Sequence, residues 1–267
     1  QSFSEEVQPA DLLLAALMAQ SFVDFLAEDI DKGVPRSGGC RIAMGTDSRP
    51  TGPALADAMI RVFAGADFDI EYLFITAAPE IMAYTGSRAA IDAFVYISAS
   101  HNPPGHNGVK FGLDDGAVLE GRWSTLLIDR FRRLCRDASE LERVKQLIKE
   151  TPADRIEEIY RGVEQRKETA AAAYYSFTMN TAFGSGPSLK NVLACELEKY
   201  PLGVVAEFNG SARTLSIDTG LFKELGLAVH AVNERPRQIV HRIVPEGESL
   251  EPCRLELEKI RQKRPEF

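Results

Sequence analysis

Short apolar runs alternate with segments of helical periodicity in the first part of the chain. The runs have the length of buried strands and lie at residues 41–44, 68–75 and 94–97. The segments between them, residues 54–63 and 80–90, carry apolar side chains at helical spacing. Because strands that alternate with helices in this way pair in parallel, the pattern predicts an α/β fold with helices on both faces of a mostly parallel sheet.

A second alternating unit follows a charged and then alanine-rich segment, residues 138–183, that is predicted to be helical. Its strands are expected at residues 204–208 and 228–232, and its helices at residues 189–198, 214–225 and 250–263. We therefore predict two three-layer α/β/α domains with mostly parallel mixed sheets, the second incomplete. The boundary is expected between Asp137 and Gly186 and is placed near Thr151, because Pro152 follows it, which gives domains of residues 1–150 and 151–267.

The composition excludes some partners. With a formal net charge of -8 and a pI near 5.2, the chain lacks the basic surface that nucleic acid or an acidic membrane requires. The most apolar segment, residues 12–26, is interrupted by Gln20, Ser21 and Asp24, so no membrane span is expected. The N-terminal residues lack a signal-peptide pattern, and cytoplasm is the expected location. An anionic small ligand would then need a local positive site.

The loop after the strand at residues 94–97 carries the strongest indication of chemistry. Proline and glycine prevent it from being helical, and several polar side chains crowd around Ser100: His101, Asn102, His106, Asn107 and Lys110. The loop is either a polar turn or a site at the carboxyl end of a buried strand, where α/β sheets bind ligands. A serine hydrolase is excluded because Ser100 has no glycine at either elbow position.

Three further places are open to more than one interpretation. Asp47 or Ser48 could cap the next helix or lie near a bound phosphate, to which Arg49 would supply a charge. The turn at residues 209–211, Asn-Gly-Ser, is an ordinary strand-to-helix connection or a phosphate-binding turn. His230 and His241 have no neighbouring ligand spacing, and we interpret both as structural.

The loop resembles the phosphoserine loop of the α-D-phosphohexomutases, the phosphoglucomutase and phosphomannomutase superfamily. Residues 99–104 read Ala-Ser-His-Asn-Pro-Pro, and residues 107–110 read Asn-Gly-Val-Lys. The family's usual form begins with threonine, where this chain has Ser98. Weaker similarity lies in Gly-Thr-Asp-Ser-Arg-Pro at residues 45–50 and in Val-Pro-Glu at residues 244–246, where Gly247 replaces the second proline of the family's Pro-Glu-Pro.

The resemblance implies an enzyme that moves a phosphoryl group between C1 and C6 of a hexose through a bisphosphorylated sugar. It implies Ser100 as the phosphoryl carrier, Lys110 as the residue that assists proton transfer, and His101 and Asn102 as residues that shape the phosphoserine. Arg49 and Asn107 are expected to bind the substrate. It further implies Mg²⁺ bound to the phosphate on Ser100, a hexose 1,6-bisphosphate as activator and a hexose phosphate as substrate.

Several family motifs are not found in the 267 residues. They are an early Arg-Gly segment, the Asp-x-Asp-x-Asp-Arg metal loop, and the sugar and phosphate loops. We therefore expect the N-terminal part of a phosphohexomutase, lacking its C-terminal domains and inactive alone, with the oligomeric state open. The alternative is a phosphosugar-binding or regulatory module without turnover. The kind of hexose is not indicated.

Overall fold

The computed structural model describes residues 6–28, 39–100, 102–103, 105–184, 188–241 and 250–267. The first part of the chain contains α1 (Pro9–Glu28), β1 (Arg41–Thr46), α2 (Gly52–Gly65), β2 (Asp69–Ile75), α3 (Ala78–Gly86), β3 (Ala93–Ile97), β4 (Val109–Leu113), α4 (Gly121–Leu134), α5 (Ala138–Glu150), α6 (Ala153–Arg161) and α7 (Val163–Phe183). The second part contains α8 (Ser188–Lys199), β5 (Gly203–Glu207), α9 (Asp218–Glu224), β6 (Ala228–Val232) and α10 (Glu251–Arg261).

The first sheet has the strand order β2-β1-β3-β4. Strand β1 is parallel to both β2 and β3, and β4 is antiparallel to β3. The predicted α/β class with a mostly parallel sheet is therefore confirmed. After β4 the chain pairs once more with the sheet, through an isolated bridge between Gly112 and Val118, because Gly116 turns it with φ +76° only five residues before α4 begins.

Helices cover both faces of this sheet. On one face α1 packs against α2, α4 and α5, and on the other α3 packs against α7. Phe22 and Phe25 of α1 and Phe63 of α2 are completely buried between these helices and the sheet. By length and composition, the span Pro9–Ala27 of α1 would suffice to cross a membrane, which differs from the sequence expectation. Its buried aromatic side chains are part of the protein core.

The segment predicted as one helical stretch, residues 138–183, forms α5, α6 and α7. Pro152 and Gly162 interrupt it, as expected for a residue without an amide donor and one without a side chain. Helix α6 contacts α2 and β2, and α7 contacts α3 and β2. These two helices, which follow the boundary predicted near Thr151, therefore lie on the first sheet. The boundary itself stays a prediction.

A buried ion pair joins α7 to α3. Glu80 is completely buried, and its Oε1 lies 2.5 Å from Nζ of Lys167, whose side chain is 19% exposed. Removing one partner of a buried pair leaves an uncompensated charge, so we expect Lys167→Met to lower the free energy of unfolding by about 3 kcal/mol. Urea denaturation measures this loss.

Lys190→Met is the matched control, because Lys190 pairs with Glu224 and both side chains are about two-fifths exposed. Its effect should stay within about 0.5 kcal/mol. The double variant Lys167→Met/Glu80→Gln should recover part of the loss. Equal unfolding free energies for the Lys167 and Lys190 variants would contradict a structural role for the buried pair.

The second sheet, as far as the structure describes it, consists of β5 and β6 paired in parallel. Helix α10 contacts β5, and α9 contacts β6. The single helix predicted for residues 214–225 is divided into a 3-10 turn, Ala212–Leu215, and α9. The division occurs because Ser216 has an extended backbone, with φ -106° and ψ -164°.

Candidate active site

The carboxyl ends of β1 and β3 meet at one edge of the first sheet. The two strands are adjacent and parallel, and the amide of Asp47 donates to the carbonyl of Ile97 at 2.9 Å just beyond them. Arg49 follows β1 and Ser100 follows β3, so the topology brings these residues together although about fifty positions separate them in sequence. This edge is where open α/β sheets bind their ligands.

Ser98 and Ser100 differ sharply in their surroundings. Ser98 is 7% exposed, its amide donates to the carbonyl of Gly108 at 2.8 Å, and its Oγ accepts a bond from the amide of Ser100 at 3.1 Å. Ser100 is exposed and has φ +56°, a left-handed conformation that residues with a side chain adopt infrequently. Of the two hydroxyls, the one on Ser100 is open to an approaching ligand.

Lys110 lies next to Ser100. Its Nζ donates to Oγ of Ser100 at 3.2 Å and to the carbonyl of Ser98 at 3.1 Å, and it lies 5.7 Å from the centroid of the Tyr96 ring. The register of the sheet explains this position, because Lys110 of β4 is paired with Tyr96 of β3 and so extends over the end of that strand. The structure thus brings together Ser100 and Lys110; their catalytic roles stay predictions.

The environment of Lys110 favours the neutral amine more than water does. Burial lowers the pKa of Lys110, and the positive charge of Arg49 lowers it further, while Asp47 opposes the change by raising it. A lysine with a lowered pKa is better able to accept and return a proton near neutral pH. This property suits a residue in contact with a reacting hydroxyl.

Arg49 is hydrogen-bonded to the backbone of the Ser100 loop. It is 7% exposed, and its guanidinium contacts Asp47 at 2.5 Å. One of its terminal nitrogens also donates to the backbone carbonyls of Ser100 at 3.1 Å and of Asn102 at 2.5 Å. The planar guanidinium therefore fixes the loop backbone, whether or not it also contacts the substrate as predicted.

We expect Arg49→Lys to destabilise the protein, because an ammonium group cannot reproduce the forked geometry of a guanidinium. Losing a buried, charge-assisted bond should lower the free energy of unfolding by about 2 kcal/mol. Arg61→Lys is the control, since the pair of Arg61 and Asp57 lies at the surface with side chains 32% and 36% exposed. Urea midpoints that shift equally for both variants would contradict this role of Arg49.

The other predicted residues are placed differently. Asn102 is exposed and lines the cleft beside Ser100. Asn107 donates from its side-chain amide to Oγ1 of Thr51 and faces a different depression, so its substrate-binding role stays a prediction without support from this contact. His101 lies outside the described residues, as does the Val-Pro-Glu segment at residues 244–246.

Both parts of the chain form the walls of the cleft, which has a volume of about 340 Å³. The first part contributes Ser100, Asn102 and Arg49, and the second contributes Ser211, Arg213 and His241. Reasoning from the sequence missed Arg213 and interpreted His241 as structural. The Asn-Gly turn at residues 209–210 and the Val-Pro-Glu similarity close to His241 were the available indications.

The described side chains do not fit a magnesium site built from protein carboxylates. Within the described part of the chain, no group of three or more His, Cys, Asp or Glu residues is arranged to hold a metal ion. The carboxylate of Asp47, which lies at the cleft, is paired with Arg49. Mg²⁺ prefers near-octahedral oxygen coordination, which these residues do not supply.

Comparison with known proteins agrees with this architecture. The family model of the phosphoglucomutase/phosphomannomutase α/β/α domain I matches residues 4–133. Phosphoglucosamine mutase from Clostridium botulinum is 31% identical over 207 residues, which cover 78% of this chain and 39% of that protein. The phosphoglucosamine mutase of Shewanella piezotolerans is 28% identical over 201 residues, covering 75% of this chain and 38% of that protein.

Solved structures show the same fold. A phosphoglucomutase/phosphomannomutase family protein from Burkholderia thailandensis has a TM-score of 0.56 and 20% identity, over 92% of this chain and 46% of that one. A putative phosphomannomutase from Thermus thermophilus has a TM-score of 0.54 and 15% identity, over 94% of this chain and 48% of that one.

The first α/β domain is thus matched by a family model and the chain by relatives and by fold. The chain belongs to the α-D-phosphohexomutase superfamily. It spans about two-fifths of the length of the phosphoglucosamine mutases that it matches, 39% in the Clostridium protein.

Proposed function

We propose that this chain carries the phosphoryl-transferring serine of a phosphohexomutase that acts on hexose phosphates. The observation that carries the proposal is the contact of 3.2 Å between Nζ of Lys110 and Oγ of Ser100 at the carboxyl edge of the first sheet. In this proposal Ser100 accepts and returns the phosphoryl group, Lys110 assists, and Asn102 and His101 shape the phosphorylated loop. Cytoplasm remains the expected location.

The proposed loading step begins with a hexose 1,6-bisphosphate in the cleft. Oγ of Ser100 attacks the phosphorus atom, a bond between Oγ and phosphorus forms, and the bond from phosphorus to the sugar oxygen breaks. The hydroxyl proton passes by way of the amine of Lys110 to the departing sugar oxygen, which leaves as a hydroxyl of a hexose monophosphate. The return step is the reverse, with the phosphoryl group moving to the other end of the sugar.

The surroundings of Ser100 favour transfer over simple binding. A phosphorylated serine carries a charge of about -1.5 to -2 and needs nearby cations and donors. Lys110 becomes a cation beside the new phosphate when it takes the hydroxyl proton, and Arg49 fixes the backbone carbonyls of Ser100 and Asn102. Positioning and charge stabilisation of this kind are what phosphoryl transfer requires. Label on Ser100 distinguishes this proposal from a module that binds phosphosugars without turnover.

Incubation with isotopically labelled glucose 1,6-bisphosphate tests the proposal. We expect the protein to gain one phosphoryl group by intact-mass measurement and to release it in a single turnover when glucose 1-phosphate or mannose 1-phosphate is added; sustained isomerisation is not expected of this part of the enzyme alone. Glucosamine 1-phosphate is included because the relatives from Clostridium and Shewanella are phosphoglucosamine mutases. A protein that takes up no label from the bisphosphate would contradict the proposal.

A further inference from the structure

The second part of the chain contributes a histidine to the cleft. Glu207 contacts its side chain, and Asn209 bonds to its backbone. His241 lines the cleft together with Ser100, and its side chain is 27% exposed. Its Nε2 lies 3.0 Å from Oε2 of Glu207, whose side chain is only 8% exposed. The imidazole therefore lies against a buried carboxylate and lines the same cleft as Ser100.

Asn209 fixes the backbone of His241. Its Oδ1 accepts bonds from the amides of Val240 at 2.9 Å and His241 at 3.1 Å, and its Nδ2 donates to the carbonyl of His241 at 2.8 Å. Asn209 is 5% exposed and has φ +47°, so one buried residue in a left-handed turn satisfies three backbone groups thirty residues away.

Glu207 is in turn held by its surroundings. Besides lying against Nε2 of His241, its carboxylate accepts bonds at 2.8 Å from the amide of Asn209 and from the side-chain amide of Asn233. A buried carboxylate with three such partners has little freedom to move. The imidazole is thus pre-organised before any ligand enters, which is the property expected of a binding group and more than a simple surface contact needs.

The positive charges at the cleft also favour contact between an anionic ligand and the second part of the chain. Two arginines, Arg49 and Arg213, line the cleft. Arg49 is buried against Asp47 and two loop carbonyls, so it has little freedom to meet a ligand. Apart from Lys110 beside Ser100, an anionic sugar would therefore find its positive contact on the wall that the second part of the chain supplies, where the Arg213 side chain is 46% exposed.

We propose that His241, oriented by Glu207, is a ligand-binding residue that contacts the phosphosugar held against Ser100. This rests on the proposed function for the identity of the ligand, but the contact itself is independent of phosphoryl transfer. Arg213, whose guanidinium is paired with Asp218, lines the same cleft and offers a second anion contact.

His230 provides a matched control. It lies on β6 in the same part of the chain, and its Nε2 is 3.5 Å from a carboxylate oxygen of Glu256. Its side chain is 36% exposed, similar to that of His241, and it is not among the residues that line the cleft. Each histidine therefore lies beside a carboxylate, Glu256 for His230 and Glu207 for His241, but only His241 lines the cleft.

The first test measures the uptake of label from glucose 1,6-bisphosphate as a function of its concentration. Loss of one charge-assisted bond corresponds to a factor of about ten or more in binding. We expect His241→Gln to raise the half-saturating concentration about tenfold and to leave the maximal rate within about twofold, because His241 does not touch the reacting hydroxyl. His230→Gln should change neither quantity. Identical behaviour of the two variants would overturn the proposal.

The second test measures binding directly, so it depends neither on phosphoryl transfer nor on whether a His241 variant folds. The chain has four histidines, so their imidazole resonances can be followed individually by NMR in a Ser100→Ala background and assigned with His230→Gln and His106→Gln. Addition of glucose 6-phosphate should shift the His241 signals and leave those of His230 unchanged. If His241 shifts although the wild-type protein takes up no label, the proposed function fails and this inference stands; if His241 does not shift, the inference is wrong.

Discussion

Replacing Ser100 with alanine is expected to abolish the uptake of a phosphoryl group from glucose 1,6-bisphosphate. Removal of a nucleophile typically lowers a rate by several orders of magnitude, so the loss should be at least about 1,000-fold. The free energy of unfolding should change by less than about 1 kcal/mol, because the Ser100 side chain is exposed. Label uptake by quenched-flow or filter binding measures the first effect, and urea denaturation the second.

Ser98→Ala distinguishes the contributions of the two loop serines to phosphoryl uptake. The hydroxyl of Ser98 is buried and accepts the amide of Ser100, so its removal should alter the loop slightly and slow uptake by about tenfold at most. Ser124→Ala is the control for loss of a serine hydroxyl elsewhere in the chain. Ser124 lies in α4 and its hydroxyl donates to the carbonyl of Leu119, so this variant should retain full uptake. If the Ser100→Ala protein took up label as fast as the Ser98→Ala protein, Ser100 would be ruled out as the acceptor of the phosphoryl group.

The second large effect is expected for Lys110→Met. General acid–base catalysis typically contributes a factor of about 100 to 10,000, and we expect the uptake rate to fall within that range. Stability should fall by only about 1 kcal/mol, because the apolar stem can still pack against Tyr96 while one bond to the carbonyl of Ser98 is lost. Rapid-quench kinetics at saturating bisphosphate distinguishes this loss from weaker binding.

Two comparisons define the role of Lys110. Lys110→Arg keeps the positive charge but cannot accept a proton, so it should recover little of the rate if proton transfer matters. Because the pKa of Lys110 is lowered by burial, the wild-type rate should rise with pH and level off below the ordinary lysine range, whereas the methionine variant should lack this rise. Full recovery by arginine would show that charge alone is needed.

The local parts of the site were predictable because their determinants lie close together in the chain. Ser100 and Lys110 are ten residues apart, in a strand, loop and strand whose glycines and prolines leave few conformations. The apolar runs also indicated β1, β2 and β3, because buried strands need continuous apolar residues. Even so, the sequence could not distinguish the buried Ser98 from the exposed Ser100, since that difference depends on the left-handed backbone of Ser100.

The remaining features depend on contacts between distant residues. Arg49 looked like a free charge for a phosphate, and the structure shows it bonded to carbonyls fifty residues away. His241 looked structural because its partner Glu207 and its clamp Asn209 are more than thirty residues distant, so no local spacing shows them. Similarly, the packing of α7 on α3 through Glu80 and Lys167 is set by the tertiary fold and not by the local pattern.

The most direct measurement of the central claim is the position of the phosphate after reaction with glucose 1,6-bisphosphate. Phosphopeptide mapping by mass spectrometry should find one phosphorylated residue, Ser100, in the wild-type protein, and the same position in the Lys110→Met protein after a much longer incubation. Phosphate on Ser98 or on a residue outside the loop, or label that survives in the Ser100→Ala protein, would contradict the account.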